Sequence, residues 1–133
     1  MVTDTDITLK NGGDIVLAKR GLIKADEVRQ MTVKAIVDTG AWTLVINEET
    51  RNKLGLLDSG VGEATLADGQ QGEFPMAGPL EVWWENRHIV MEALVLPNAP
   101  DTLLPCSLIP LLSLPVKGEN RLLVVVPVWS ENG

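Results

Sequence analysis

The amino-acid sequence predicts a mainly β protein, a sheet-rich barrel or sandwich built as one domain. Three observations predict it. Period-2 alternation recurs in short runs, with Ile7 and Leu9 set against Thr8 and Lys10, and Met31, Val33, Ala35 and Val37 set against Gln30, Thr32 and Lys34. Turn signals separate the runs at near-regular spacing. The chain has 133 residues, 45% of them hydrophobic, which suits one core over residues 1–133 without disulfide staples.

Taken in order, Asp6–Lys10 reads as a strand ended by Asn11-Gly12-Gly13. Ile15–Lys19 reads as a second short strand, and polar Lys24–Gln30 as a loop or a helical turn. Gln30–Val37 is a strand that runs directly into Asp38-Thr39-Gly40-Ala41, and Thr43–Ile46 is the strand after it. Asn47 is placed to N-cap a short helix, with Glu48 and Glu49 in the first turn where the helix dipole favours acids. Leu54 ends that helix, and Gly55 suits the position after it.

Ala64–Leu66 and Gly72–Met76 flank an Asp68-Gly69 hairpin signal. Leu80–Trp84 and His88–Leu96 flank Glu85-Asn86-Arg87, a second hairpin. Trp83 and Trp84 must point to opposite faces of their strand. Asp101–Leu114 has room for one short helix between prolines, and Arg121–Val126 is a β-branched closing strand.

Composition excludes several function classes. Eleven Lys and Arg against eighteen Asp and Glu give a net charge of −7, against the basic patches that nucleic acid or an anionic membrane requires. One Cys, Cys106, allows no internal disulfide, and with one His, His88, it cannot make a structural zinc site. Neither metal nor cofactor is expected. The N-terminus lacks the basic and apolar regions of a signal peptide, and no run reaches the ~18 apolar residues of a membrane helix. The expected location is the cytoplasm.

Carboxylates are therefore the plentiful reactive groups. In Ala35–Ile46 an apolar strand delivers Asp38 onto a tight Thr39-Gly40 turn, and a second apolar strand leaves it. A charge at the junction of two core strands is expensive unless it has a use or a partner. Asp58-Ser59-Gly60 carries the same kind of tripeptide, but it follows a helix and no apolar strand leaves it, so a surface turn is expected there. Trp42, beside the Asp38 turn, is expected to line a cleft or a subunit contact.

On Met31–Ala41, Thr43–Ile46, the Asn47–Leu54 helix, Ala64–Gly69, Ala77–Val82 and Ala93–Leu96, the chain resembles the retropepsin-like aspartic proteases with one domain per chain, in a bacterial or archaeal form. The resemblance implies a small closed β-barrel of the acid protease type with one or two short helices. It implies an aspartic endopeptidase acting on a peptide or protein substrate as a homodimer, with Asp38, Thr39 and Gly40 of each chain as catalytic residues. Ala41 and Trp42 would contact substrate, as would a flap of Leu66, Ala67, Asp68, Gly69 and Gln70. The loop that relatives pack under the site would be Leu103-Leu104-Pro105-Cys106, with Pro where they carry Gly, or a second register through Ile109-Pro110-Leu111. That departure, with an Asn11–Ala25 insertion, keeps an alternative open: a dimeric peptide-binding or scaffolding module of the same fold without turnover.

Overall fold

The alternating segments of the chain become seven strands in a computed structural model, which describes residues 3–38, 43–65, 69, 71–97 and 102–105. The strands are β1 (Thr3–Asn11), β2 (Gln30–Asp38), β3 (Leu44–Ile46), β4 (Leu57–Thr65), β5 (Gln71–Trp84), β6 (Arg87–Val95) and β7 (Thr102–Pro105). Two helices, α1 (Gly12–Lys19) and α2 (Glu48–Leu54), and a 3-10 turn at Ala25–Glu27 complete the described elements. The closing strand expected at Arg121–Val126 lies outside the described residues.

The strands form one sheet in the order β1-β2-β7-β3-β6-β5-β4. β1 also pairs with β5, from Thr8 opposite Trp83 to Asn11 opposite Leu80. The expectation of a closed barrel is corrected in one respect: among the described residues β4 has a neighbour on one side only and is an edge. The cause is the length of β5. Its 14 residues offer Gln71–Gly78 to β4 and Leu80–Trp83 to β1, while β6 pairs with Met76–Trp84. The registers shift between Ala77 and Leu80, where Pro79 has no N–H to give a ladder.

The core follows from the pleat. Ile7 and Leu9 of β1, Leu80 and Val82 of β5, and Ala35 of β2 are buried with Leu54 and Leu56. Each fully buried Leu or Ile contributes about 1.5–3 kcal/mol. β3 lies in the interior and is buried on both faces, so Leu44 and Ile46 join this cluster while Val45 packs with Met76 and Leu94 on the other side. The two tryptophans diverge as expected. Trp84 packs against the core and donates to Thr5 Oγ1 at 3.1 Å, and Trp83 turns to the other face.

Helix α2 matches its expected signals. The Asn47 side chain accepts from Thr50 N at 2.8 Å, and Gly55 closes the helix in the left-handed region at φ 64°. Helix α1 is a correction, because Ile15–Lys19 was expected to be extended. Asn11 Oδ1 accepts from Asp14 N at 3.0 Å, with Asp14 in the first turn and Lys19 in the last, a set of end signals that starts and stops a helix. Gly12 lets this helix lie close to β5, since a Cβ there would come within 3.1 Å of Pro79 O. Asp58-Ser59-Gly60 is a second correction. It is exposed as expected, yet it belongs to β4, with a bulge between Asp58 and Gly60 instead of a turn. Within Asp101–Leu114, residues 102–105 are strand, and the rest of the stretch with room for a short helix lies outside the described residues.

One carboxylate joins these pieces. Asp14 accepts from Arg29 N at 3.0 Å, Arg29 Nε at 2.8 Å and Arg29 Nη2 at 2.9 Å. The Arg29 hydrogen bonds hold the Asp14 carboxyl below its usual value, against the opposing effect of burial. Replacing Asp14 by Ala is expected to lower stability by about 1–3 kcal/mol in urea titrations at pH 7. A depressed folded pKa stabilises above the unfolded carboxylate's ~3.9, and this contribution disappears as pH falls through the folded value. The gap between wild type and Asp14→Ala should therefore narrow below pH ~4. Gly55→Ala should also destabilise, by about 1–2 kcal/mol from the left-handed backbone alone. Its Cβ would in addition meet Arg29 Nη1 at 1.8 Å.

Candidate functional site

Strand β2 carries Asp38 at its C-terminal end, and neighbouring strands hold that end from both sides. β1 pairs antiparallel, with Thr3 opposite Val37. β7 pairs parallel, with Val37 opposite Leu104 and Asp38 opposite Pro105. β7 in turn meets β3 at Val45–Leu103, so a strand from late in the chain is wedged between the strand that enters the Asp-Thr-Gly segment and the strand that leaves it.

The apolar context of Asp38 seen in the sequence is a packed one. Ala35 is fully buried three residues before it, and Thr43, Leu44, Val45 and Ile46 are buried after it. Thr43 Oγ1 donates to Glu92 O at 3.4 Å, tying the start of the outgoing strand to β6. The first of the two registers expected for the loop beneath the site falls partly on β7, where Leu103 and Leu104 lie beside β2 and Pro105 ends the strand without an N–H to donate. The second register lies outside the described residues.

Thr39, Gly40, Ala41 and Trp42 also lie outside the described residues, as do Leu66, Ala67, Asp68, Gln70 and Cys106. The hairpin that carries the candidate flap is described up to its closing pair. Its ladder runs Glu63–Glu73, Ala64–Gly72 and Thr65–Gln71, and Gly69 between these arms is exposed with φ 88°. A left-handed residue there explains why the sequence places Gly after Asp68.

Asp58, the other aspartate in a tripeptide of this kind, is exposed and paired with the Arg51 guanidinium of α2. His88 is exposed and stacks on Trp83, with ring centroids 4.4 Å apart and an interplanar angle of 18°. Among the described residues no group of three or more His, Cys, Asp or Glu side chains can hold a metal ion. None of the described helices is long and apolar enough to cross a membrane.

Sequence reasoning missed the Asn11–Asp14–Arg29 cluster. The signal was available in Asn11-Gly12-Gly13-Asp14, an N-cap followed by an acid in the first turn, but two glycines after a strand read as a turn.

A scan against protein-family models and a search of curated proteins each gave no match. Among solved structures, EIAV protease complexed with the inhibitor HBY-793 is similar with a TM-score of 0.56 at 17% identity, over 92% of this chain and 94% of that chain. A retropepsin-like aspartic protease from Rickettsia conorii is similar at 19% identity with a TM-score of 0.44, over 82% of this chain and 81% of that chain. The likeness to EIAV protease spans nearly all of both chains, and the fold of this chain is retropepsin-like.

The hairpin geometry gives a prediction. Gly69→Ala places a Cβ on a residue with φ 88° but meets nothing within 4 Å, so its effect is confined to the backbone. It should cost about 1 kcal/mol locally, read as faster amide hydrogen exchange at Thr65 and Gln71 with global stability nearly unchanged.

Proposed function

We propose that the chain is an aspartic endopeptidase that works as a homodimer, with Asp38 of each protomer forming one catalytic pair. The observation that carries this reading is the setting of Asp38: an Asp-Thr-Gly segment at the end of a core strand, held between β1 and β7 in a retropepsin-like fold. The need for a second copy comes from the count of such aspartates. Asp58 is exposed on an edge strand and committed to Arg51, so it does not supply the partner carboxylate. A two-fold axis sets a residue opposite its own copy, which a symmetric pair requires.

Two carboxylates at close range cannot both ionise, so the pair would share one proton. The ionised member takes a proton from a bound water, and the neutral member donates to the scissile carbonyl oxygen. Thr39 would bond across to the partner loop, and Gly40 would leave the backbone free to approach the carboxylates. An extended peptide would lie as an added strand beneath the 66–70 hairpin, with Ala41 and Trp42 beside it. The net charge of −7 favours neutral or basic peptides.

Asp38→Asn removes the shared proton and little volume. It is expected to lower cleavage of a peptide library, followed by mass spectrometry between pH ~4 and ~7, by at least ~100-fold. Sedimentation should find the dimer intact in that variant. Cleavage persisting at the wild-type rate would overturn the mechanism.

A further inference from the structure

The segment between β1 and β2 does more than connect them. Helix α1 and the residues after it stand over the outer face of the sheet and leave a cleft of ≈ 350 Å³ there. Ile15, Ala25 and Val28 supply its apolar wall, and the Trp83 ring contributes an aromatic surface. This volume is at the lower end of the range for small-molecule sites, and a mostly apolar lining with a few polar groups is their usual character.

The polar groups are cationic on balance. Lys10, Lys19 and His88 border the cleft, with Glu81 as the one acid. Glu81 Oε1 is engaged, accepting from Trp83 Nε1 at 2.8 Å. Lys10 Nζ lies 4.5 Å from the Trp83 ring centroid, a cation–π contact that holds the ammonium over the indole. The Trp83 ring is also stacked with His88, so Lys10 and His88 are positioned through one tryptophan. Neither Lys10 nor Lys19 forms an ion pair among the described residues. Two ammonium groups beside an apolar wall, against the single carboxylate of Glu81 opposite Lys10, leave positive charge in excess, which suits an anion attached to a small hydrophobic body.

We propose that this cleft binds a monocarboxylate carrying a compact apolar group, with the carboxylate held by Lys10 and Lys19 and the apolar group against Ile15, Ala25 and Val28, beside the edge of Trp83. A free acylated amino acid and the last residue of a peptide share this chemistry. The site is separate from the Asp38 end of the sheet. Lys10 pairs with Gln30, eight residues before Asp38 on β2, which is roughly 26 Å along an extended strand. The proposal therefore does not rest on the activity of Asp38.

The test is an NMR titration of the full chain with N-acetyl-leucine and with its uncharged amide, followed at the Trp83 indole N–H, which Trp83→Phe identifies. The acid should shift that resonance saturably and bind at least ~5-fold more tightly than the amide. Lys10→Gln and Lys19→Gln should each weaken the acid by ~3-fold or more, while Lys53→Gln on α2 and Asp38→Asn should leave it unchanged. A pentapeptide ending in Leu separates the two sources. Binding equal to that of N-acetyl-leucine supports a peptide terminus, and loss of binding with N-acetyl-leucine retained supports a free acid. Equal affinity for acid and amide, an unmoved Trp83 resonance, or wild-type binding in both lysine variants would overturn the proposal.

Discussion

The carboxylate of Asp14 is the point on which the first half of the fold is assembled. Its side chain is 8% exposed, so the charge has lost most of its water and needs compensation from protein donors. Arg29 supplies three, two from its guanidinium and one from its backbone. Asn11 completes the knot: its N–H donates to Arg29 O at 2.9 Å, and its Nδ2 donates to Leu54 O at 2.7 Å. The end of β1, the start of α1, the start of β2 and the end of α2 thus meet within one set of hydrogen bonds. The Arg29 guanidinium lies against Gly55, where any side chain would collide with it. Each of these residues has the geometry it needs only because the others are present, so loss of one leaves buried donors or acceptors without partners.

That knot fixes the register in which β2 sets out toward Asp38. Lys10 opposite Gln30 becomes Thr3 opposite Val37 at the far end, an unbroken antiparallel ladder. On its other side β2 meets β7 in parallel, and β3 meets β6 in parallel. Parallel neighbours need long connections, so the strands around Asp38 are drawn from distant parts of the sequence. An aspartate supported this way is held by the tertiary structure as a whole, and burial on both faces of β3 adds stiffness to the outgoing strand.

The sequence made the strands with clean alternation legible, along with α2, whose Asn47 and Gly55 mark both ends. It made α1 illegible for a physical reason. Ile15-Val16-Leu17-Ala18 is apolar throughout, so it has neither a period of 2 nor a period of 3.6, and β-branched residues tip the choice toward strand. The end signals decide instead, together with the tertiary contact of Gly12 with Pro79. The extent of β4 was hidden because Leu57–Thr65 is nearly all exposed, with no buried face to imprint alternation. β7 was hidden by brevity and by the proline that ends it. At the candidate site, the burial of the segments flanking Asp-Thr-Gly was legible, whereas the wedging of β7 between β2 and β3 depends on pairings that no local pattern encodes.

The contrast between Asp38 and Asp58 shows why a tripeptide alone is a poor guide to chemistry. Both precede a small hydroxyl residue and a glycine. Asp58 lies on the strand that, among the described residues, has an unpaired edge, exposed to water and joined to a cation that is itself bound to Glu48. A carboxylate so placed keeps its solvent and already has its counter-charge, so a water molecule bound there gains little basicity from it. The bulge between Asp58 and Gly60, with Gly60 at φ 151°, gives the glycine a different purpose: it twists an exposed edge away from flat pairing with another strand. Asp38 has the opposite surroundings in its backbone, with strands on both sides and a packed residue before and after the segment. Under the proposed mechanism the same chemical group is structural at one Asp-Ser/Thr-Gly site and reactive at the other. What separates them is whether the sheet closes around the strand that carries it.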